Sequence, residues 1–475
     1  PKPEDNRWYK IAQSAARVAM MVRNVSVTYK NTYAMSISGF RPEIGDMLGQ
    51  TKGASGFAPG LDFAFGMTGD SYINKALDNG WLVSDSVVSP ATTNAQEDLQ
   101  IRMTLEPVRD LKIDLNAGRT RNKSNQIQFM YEGMPQIQSG NFNMTVITIG
   151  SAFERRSASN GYSSSSFNRF LGNLDIIKNR IENMYAGVPY QGQSGLNQQP
   201  LYQVNKYSSD VMIPAFLAAY TGRSASNSAL DLFPGILSMM PNWRVTYSGL
   251  SKLEFFKKYF KSVTLNHAYR STYSVGSYST FQNFHSYMGD WGFVDDIQTG
   301  IPVPSSMYDV SAVSINEQFS PLLGVDVTFK NGITTKVEYK ITRILNLSLA
   351  ANQIVESSTK DFVLGMGYKI MGLELFPGRN KKDSKNKISN DLALRMDVSF
   401  RNQSALARDI QQVTTQATSG NKALKISFSA DYTLSRLLSV SFYYDRQKNT
   451  PLVSASSYPV TSADFGMRLK FSLTR

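Results

Sequence analysis

Read from its C-terminal end, the chain is a succession of strict alternations between apolar and polar side chains. Leu424, Ile426, Phe428, Ala430 and Tyr432 alternate with Lys425, Ser427, Ser429, Asp431 and Thr433. Leu438, Val440, Phe442 and Tyr444 alternate with Ser439, Ser441, Tyr443 and Asp445. Phe465, Met467, Leu469, Phe471 and Leu473 alternate with Asp464, Gly466, Arg468, Lys470 and Ser472. Successive side chains of a strand point to opposite faces, so each segment predicts a ribbon with one apolar and one polar face. Strands of soluble sheets usually run about 5–6 residues. These run to roughly ten, the length a tilted strand needs to cross a bilayer. The segments joining them differ in kind: Leu434 to Leu437 reads as a tight turn, and Arg446 to Thr461 as a long polar excursion. Outer-membrane barrels have short periplasmic turns and longer external loops, which places the C-terminus on the periplasmic side.

The same period recurs upstream. Leu99, Ile101, Met103 and Leu105 turn at Pro107 to Asp110 and return as Leu111, Ile113, Leu115 and Ala117, with hairpin chemistry at the turn. Strands are also expected at Val25–Tyr29, from Phe142, at Trp243–Tyr247 and at Val263–Tyr269. From Leu323 the pattern is continuous: Val325, Val327 and Phe329 reach Asn331-Gly332, a strong short hairpin signal, and Thr335, Val337 and Tyr339 return. Leu345 to Leu349, Phe362 to Ile370 and Leu392 to Phe400 follow, and the last of these opposes Arg395, Asp397 and Ser399. Residues 38–60, leading into Leu61 to Gly66, and residues 283–310, 379–387 and 402–421 read as loops. The total is about fourteen strands.

Residues 155–240 break the period. Phe167, Phe170, Leu171, Leu174, Ile177 and Ile181 follow helical spacing, with Ser166 a candidate N-cap, and Val211 to Tyr220 is an apolar run. The expected organisation is therefore barrel strands with long loops over 1–154, a helical and loop insert over 155–240, and barrel strands over 241–475. The insert is either a unit packed on itself, or a cap, plug or docking platform.

Composition changes this picture little. Hydrophobic residues make up 41% of the 475 residues, and mean hydropathy is −0.27 with no long apolar run. Helical membrane spans are excluded, while a barrel hides in such averages because half of every strand is polar. The absence of Cys removes disulfides and thiolate metal sites. A net charge of +13 comes from single basic residues spread along the strands, with no nucleic-acid-binding signature. Lipopolysaccharide phosphates or a positive lumen account for it. Pro1-Lys2-Pro3-Glu4-Asp5 reads as mid-chain sequence, so an internal piece of a longer protein is expected.

Candidate chemistry is sparse. There are two histidines, His267 in a strand pattern and His285 in a polar, aromatic loop, and neither has a nucleophile or metal-ligand motif beside it. No catalytic residue, metal or cofactor is expected. Lys425, Ser427, Ser429, Asp431, Asp464, Arg468, Lys470, Arg395 and Asp397 are expected to face a lumen. Leu424, Ile426, Phe428, Phe465, Met467, Leu469, Phe471 and Leu473 are expected to face lipid.

Several segments, in order along the chain, carry a resemblance. They are Arg23 to Tyr29, Gly39 to Pro42, Ala58 to Phe63, Val211 to Gly222, Pro241 to Leu250, His267 to Tyr273, Gly365 to Lys369, Asn390 to Asp397 and Ser429 to Leu434. Together they resemble the C-terminal part of the SprA (Sov) family, the outer-membrane translocons of the type IX secretion system of Bacteroidetes. The resemblance implies a very large single-chain barrel with a pore wide enough for folded cargo bearing C-terminal signal domains. It also implies a PorV-like barrel at a lateral opening, a plug protein at the periplasmic end, and the remainder of the barrel supplied by another segment or chain. A self-contained porin or small-molecule transporter of about fourteen strands is the rival expectation.

Overall fold

The computed structural model describes residues 20–43, 45–53, 56–83, 89–129, 136–154, 157–188, 202–296, 300–373, 391–434, 438–453 and 458–471. Its strands are β1 (Val22–Ser36), β2 (Thr51–Gly53), β3 (Gly56–Ala58), β4 (Ala91–Val108), β5 (Leu111–Ile127), β6 (Ile137–Thr145), β7 (Asn242–Tyr247), β8 (Phe260–Thr280), β9 (Phe284–Met288) and β10 (Trp291–Asp295). They continue with β11 (Pro302–Ser306), β12 (Tyr308–Val310), β13 (Ala312–Phe329), β14 (Thr334–Ser348), β15 (Gln353–Ile370), β16 (Leu392–Asp409), β17 (Thr414–Thr433), β18 (Leu438–Pro451) and β19 (Val460–Phe471).

The alternating segments assemble into one antiparallel 14-stranded sheet, ordered β1-β4-β5-β6-β8-β13-β14-β15-β16-β17-β18-β19, with β7 lying between β5 and β8 and β12 pairing β8. The fold class is that of an all-β membrane barrel wall carrying a helical insert, as the periodicity predicts. From β13 to β19 neighbouring strands follow one another directly along the chain, since an antiparallel strand needs only a short turn to reverse. At Asn331-Gly332 the glycine takes φ 87° and the Asn331 side chain accepts from the Ile333 N–H, which closes the β13–β14 turn. Within β13 the ladder skips residues between Phe319 and Leu323, where Pro321 has no N–H to donate.

One lane of the sheet is built from two pieces. β6 pairs the far half of β5 (Arg119 with Met144), and β7 pairs its near half (Leu115 with Trp243). Both then pair β8, Met144 with Tyr273 and Trp243 with Tyr269. The Met240 N–H donates to the Thr145 carbonyl at 3.1 Å and so closes the splice. Residues 146–241 are thus an insertion into the middle of a strand position.

Several loop expectations are corrected. β16 continues to Asp409 and β17 starts at Thr414, so most of 402–421 is strand. β18 runs to Pro451 and β19 starts at Val460, which shortens the excursion after Arg446. Residues 284–306 form a three-stranded sheet, β11-β10-β9, rather than a loop. Its five-residue strands, broken by Gly and Pro, are too short to show a period. Within residues 38–60 β2 pairs with β3, and beyond it lie short helices at Leu61–Ala64 and Tyr72–Asp78, the second packing Tyr72 and Ala76 with Trp81 and Leu82. The basic loop 379–387 lies outside the described residues, as do Ser435 to Arg436 of the tight turn.

Inside the insert, the long helix Ser165–Met184 buries Phe167, Phe170, Leu174, Ile177 and Ile181, the stripe read from the sequence. Its N-cap is Ser164, whose hydroxyl accepts from the Phe167 N–H, while Ser166 lies within the first turn. The second helix, Ser209–Thr221, is buried on nearly every side and ends at Gly222 in the left-handed region. Its uniform burial is why its apolar residues show no stripe. Among the described residues no helix is long and apolar enough to cross a membrane.

Candidate functional site

The sheet has two chemically distinct faces, and the strand register shows how far each extends. One rung of the apolar face runs Phe465, Tyr444, Phe428, Met396, Met366, Thr335 and Val327, each paired to the next strand. The residues on either side of it along each strand extend the face: Leu424, Ile426, Met467, Leu469 and Phe471 lie on it, and Leu473 falls outside the described residues. Many of these side chains are exposed, including Phe465 at 81% and Leu469 at 64%. In a water-surrounded sheet such a surface would be unfavourable; in a hydrocarbon layer it is the contact surface.

The apolar band has edges. On β16 it runs from Leu392 to Phe400 and gives way to Asn402; on β17 it runs from Tyr432 to Leu424 and gives way to Lys422. Each of these strands carries the band for nine residues, about the 9–11 that a tilted strand needs to cross the hydrocarbon layer.

The opposite face is mostly polar, with Ile344, Val355 and Val363 among its few apolar residues. Asp464, Asp445, Ser427, Asp397, Gly365, Lys336, Asp326 and Thr264 form a continuous rung. Lys425, Ser429, Asp431, Arg395, Arg468 and Lys470 stand on the same face, so all nine residues expected to line a lumen share one surface. Ion pairs cross it: Lys336 and Lys340 flank Glu338 at 3.0 and 2.9 Å, and Arg401 meets Asp361 at 2.8 Å. Arg468 lies 4.7 Å from the Tyr443 ring centre. Gly466 makes room for that ring, since a Cβ there would come within 2.7 Å of its hydroxyl. Exposed pairs of this kind contribute little stability, and their consequence is a hydrated, mixed-charge surface.

Beyond the band, at the end of the sheet away from β19's C-terminus, the strands continue and the insert packs on them. It packs on the apolar face: Phe142, Met144, Tyr273, Ile315, Leu345 and Leu347 share a core with the insert helices. The insert therefore lies on the apolar side of the sheet, opposite the polar rungs.

Beneath it are four charges that the sequence reading missed. Glu317 and Arg343, paired across β13 and β14, meet at 2.7 Å with side chains 1% and 2% exposed. Glu356 and Arg408 meet at 3.1 Å, equally buried. The Arg343 guanidinium also donates to the Ser151 carbonyl (2.7 Å) and hydroxyl (2.8 Å), and Arg408 donates to the Tyr162 carbonyl (2.8 Å). Glu317 accepts from the Thr148 hydroxyl at 2.7 Å and the Tyr269 hydroxyl at 2.9 Å. Strand charges thus bind insert backbone. The available signal was register: Glu317 follows Ile315 and Arg343 follows Ile341 in positions that should be apolar.

Two acids anchor the insert helices. Burial raises the Glu154 carboxyl, but hydrogen bonds from the Ser164, Ser166 and Ser165 hydroxyls and the Ser166 N–H outweigh it and hold its pKa below the ordinary glutamate value. Burial raises Asp210 above the usual range, despite donation from the Ser306 hydroxyl and N–H and the Ser305 hydroxyl. Asp210 ties the buried helix to β11.

The two histidines are far apart in the fold. His267 Nδ1 lies 2.7 Å from the Leu322 carbonyl on the apolar face, and His285 Nε2 lies 3.2 Å from Asp295 in the small sheet. Among the described residues no acid–histidine cluster could hold a metal.

No family model matches the chain, and no curated protein matches it. Among solved structures it is similar to the β domain of the Bordetella autotransporter Brka, with 6% identity over 81% of this chain and 92% of that one, at a TM-score of 0.22. It is also similar to the outer-membrane protein OmpT of Vibrio cholerae, with 8% identity over 94% and 99%, at a TM-score of 0.21. A third is an anion-selective porin from Comamonas acidovorans, with 8% identity over 94% and 98%, at 0.11. At such scores the architecture rests on the strand register and the two faces described above.

Proposed function

We propose that this chain is part of the protein-conducting pore of a type IX secretion system in the outer membrane. The apolar face meets lipid, the polar face lines a water-filled lumen, and the C-terminal end of β19 faces the periplasm. Folded cargo with C-terminal signal domains passes along the polar face to the cell surface. The partners are the remainder of a SprA-like barrel, a PorV-like barrel at a lateral opening, a plug protein and lipopolysaccharide. There is no role in this reading for a catalytic group or for nucleic acid.

One observation carries the reading: the sheet is open. Among the described residues β1 pairs only with β4, and β19 only with β18. An unpaired strand edge cannot face hydrocarbon, because its N–H and C=O groups would go unsatisfied. A two-faced wall with two open edges therefore fits a segment of a wider barrel. The ordered sequence resemblance supplies the identity of that barrel.

Cross-linking tests it, helped by the lack of native Cys. Single cysteines placed on β1 (Tyr29→Cys) and β19 (Phe465→Cys, Met467→Cys or Leu469→Cys) are expected to form no disulfide within one chain in native membranes. Bridging needs Cα atoms about 4–7 Å apart, so efficient intrachain bridging would close the sheet on itself and establish a self-contained porin.

A further inference from the structure

At the base of the insert, where it springs from the split lane, lies a cavity of about 270 Å³. Its walls are apolar: Met144 and Val146 from the end of β6, and Pro214, Leu217 and Ala218 from the buried helix. One charge belongs to it, Arg223, which lies just past the Gly222 helix end and is exposed. The Arg223 guanidinium donates to the Ser238 hydroxyl and carbonyl, both at 3.1 Å. A guanidinium has five N–H donors, so this pose fixes its direction while leaving donors free. Among the described residues no carboxylate forms an ion pair with it.

The surroundings of this cavity are those of a membrane boundary. Leu237 is 99% exposed and Ile236 55%, on the short turn of helix Ile236–Ser238 that leads to the splice at Met240. Phe153 is 53% exposed, its ring tilted against that of Phe319 on the sheet's apolar face with centres 5.2 Å apart. Below it, Trp243, Tyr269, Phe319 and Ile341 continue that face toward the bare band. The cavity is therefore continuous with the surface that meets lipid, with apolar residues pointing out around it and a cation beside it.

We infer that this cavity takes one acyl chain of lipid A, the anchor of lipopolysaccharide, and that Arg223 binds a lipid A phosphate. The match is in the chemistry: a narrow apolar slot beside a charge-assisted donor suited to a phosphate. The choice of lipid A over a glycerophospholipid follows from position. The insert lies at the end of the sheet opposite the β19 terminus, which the proposed orientation puts in the outer leaflet.

The test uses the full chain in detergent micelles, titrated with lipid A or with phosphatidylglycerol and read by native mass spectrometry. Lipid A should be retained in preference to phosphatidylglycerol. Arg223→Gln should weaken lipid A retention about tenfold, the scale of one charge-assisted contact, and Leu217→Trp should abolish it by filling the slot. Arg223 is exposed and its change should leave the fold intact, so this variant decides the case if Leu217→Trp misfolds. Equal retention of both lipids, or no effect of Arg223→Gln, overturns the inference. The assignment rests on the apolar face meeting lipid. That reading fails separately, if the protein is extracted from membranes without detergent.

Discussion

On strand β14, Val337 and Arg343 point to the same face six residues apart, in different surroundings. Val337 and Tyr339 lie below the insert; Ile341 is buried beside Tyr269 and Phe319 where Ile147, Ile149 and Ala152 pack, and Arg343 begins the charged stretch that the insert covers. Below the edge of that stretch the face carries uncharged side chains on β14 and β16, while exposed Lys360 on β15, Lys422 on β17 and Arg446 and Lys448 on β18 stand on the same face. Above it, Glu317, Arg343, Glu356 and Arg408 share that face, each paired and hydrogen-bonded beneath the insert. One continuous surface is thus covered at one end and bare at the other. The charges buried at the covered end are each paired and hydrogen-bonded, as burying a charge requires.

The sharpest way to break this comparison is at the covered end. Glu317→Gln keeps an acceptor for Thr148 and Tyr269 but leaves Arg343 as an uncompensated buried charge, at a cost of about 3–5 kcal/mol. The insert should then become protease-sensitive, and adding Arg343→Met should recover much of the loss. At the bare end the opposite change matters. Leu469→Arg should cost about 2–4 kcal/mol and block assembly into membranes, whereas Lys470→Ala, on the polar face, should stay within about 0.5 kcal/mol. Heat-modifiable migration on gels reads both, and equal tolerance would reverse the assigned faces. Ser164→Ala removes the cap of the long helix and should cost about 1 kcal/mol, confined to hydrogen exchange within the insert.

The smallest effect concerns pH, and its sign separates the two anchoring acids. Glu154 has a lowered pKa, so its contribution to insert docking is present above the ordinary glutamate value and fades as pH falls through the lowered one. Asp210 has a raised pKa, so ionising it costs stability as pH climbs from the ordinary aspartate range toward the raised value. Proteolysis of the insert across acidic pH should show weaker acid sensitivity in Glu154→Gln than in the parent. Asp210→Asn should gain resistance at neutral pH.

Much of the wall was legible because a strand writes its two faces into its own sequence. Val325, Val327, Val337 and Tyr339 needed no partner to reveal their side, and Arg395, Asp397, Lys425 and Asp431 share the polar face of the sheet. The helical stripe at Phe167 to Ile181 was legible for the same local reason. What escaped depended on contacts far apart in the chain. A helix's stripe says which side is buried but not against what, so the insert's place on the apolar face was hidden. The meeting of Thr145 with Met240 was hidden too, as was the covering of Arg343 by Ser151. The small sheet at 284–306 was missed because five residues hold too few repeats to count.

The split lane also has a temporal meaning. β7 cannot take its place beside Leu111 to Asn116 until the chain between Val146 and Pro241 has brought its ends together. Closing so long a loop is slow compared with zipping a hairpin. The hairpins from β13 to β19 are local and are expected to form early, leaving this one position as the last gap in the wall. The insert's own folding is thereby made the timer for completing the sheet, so an unfinished insert holds open the lane beside β5 and β8.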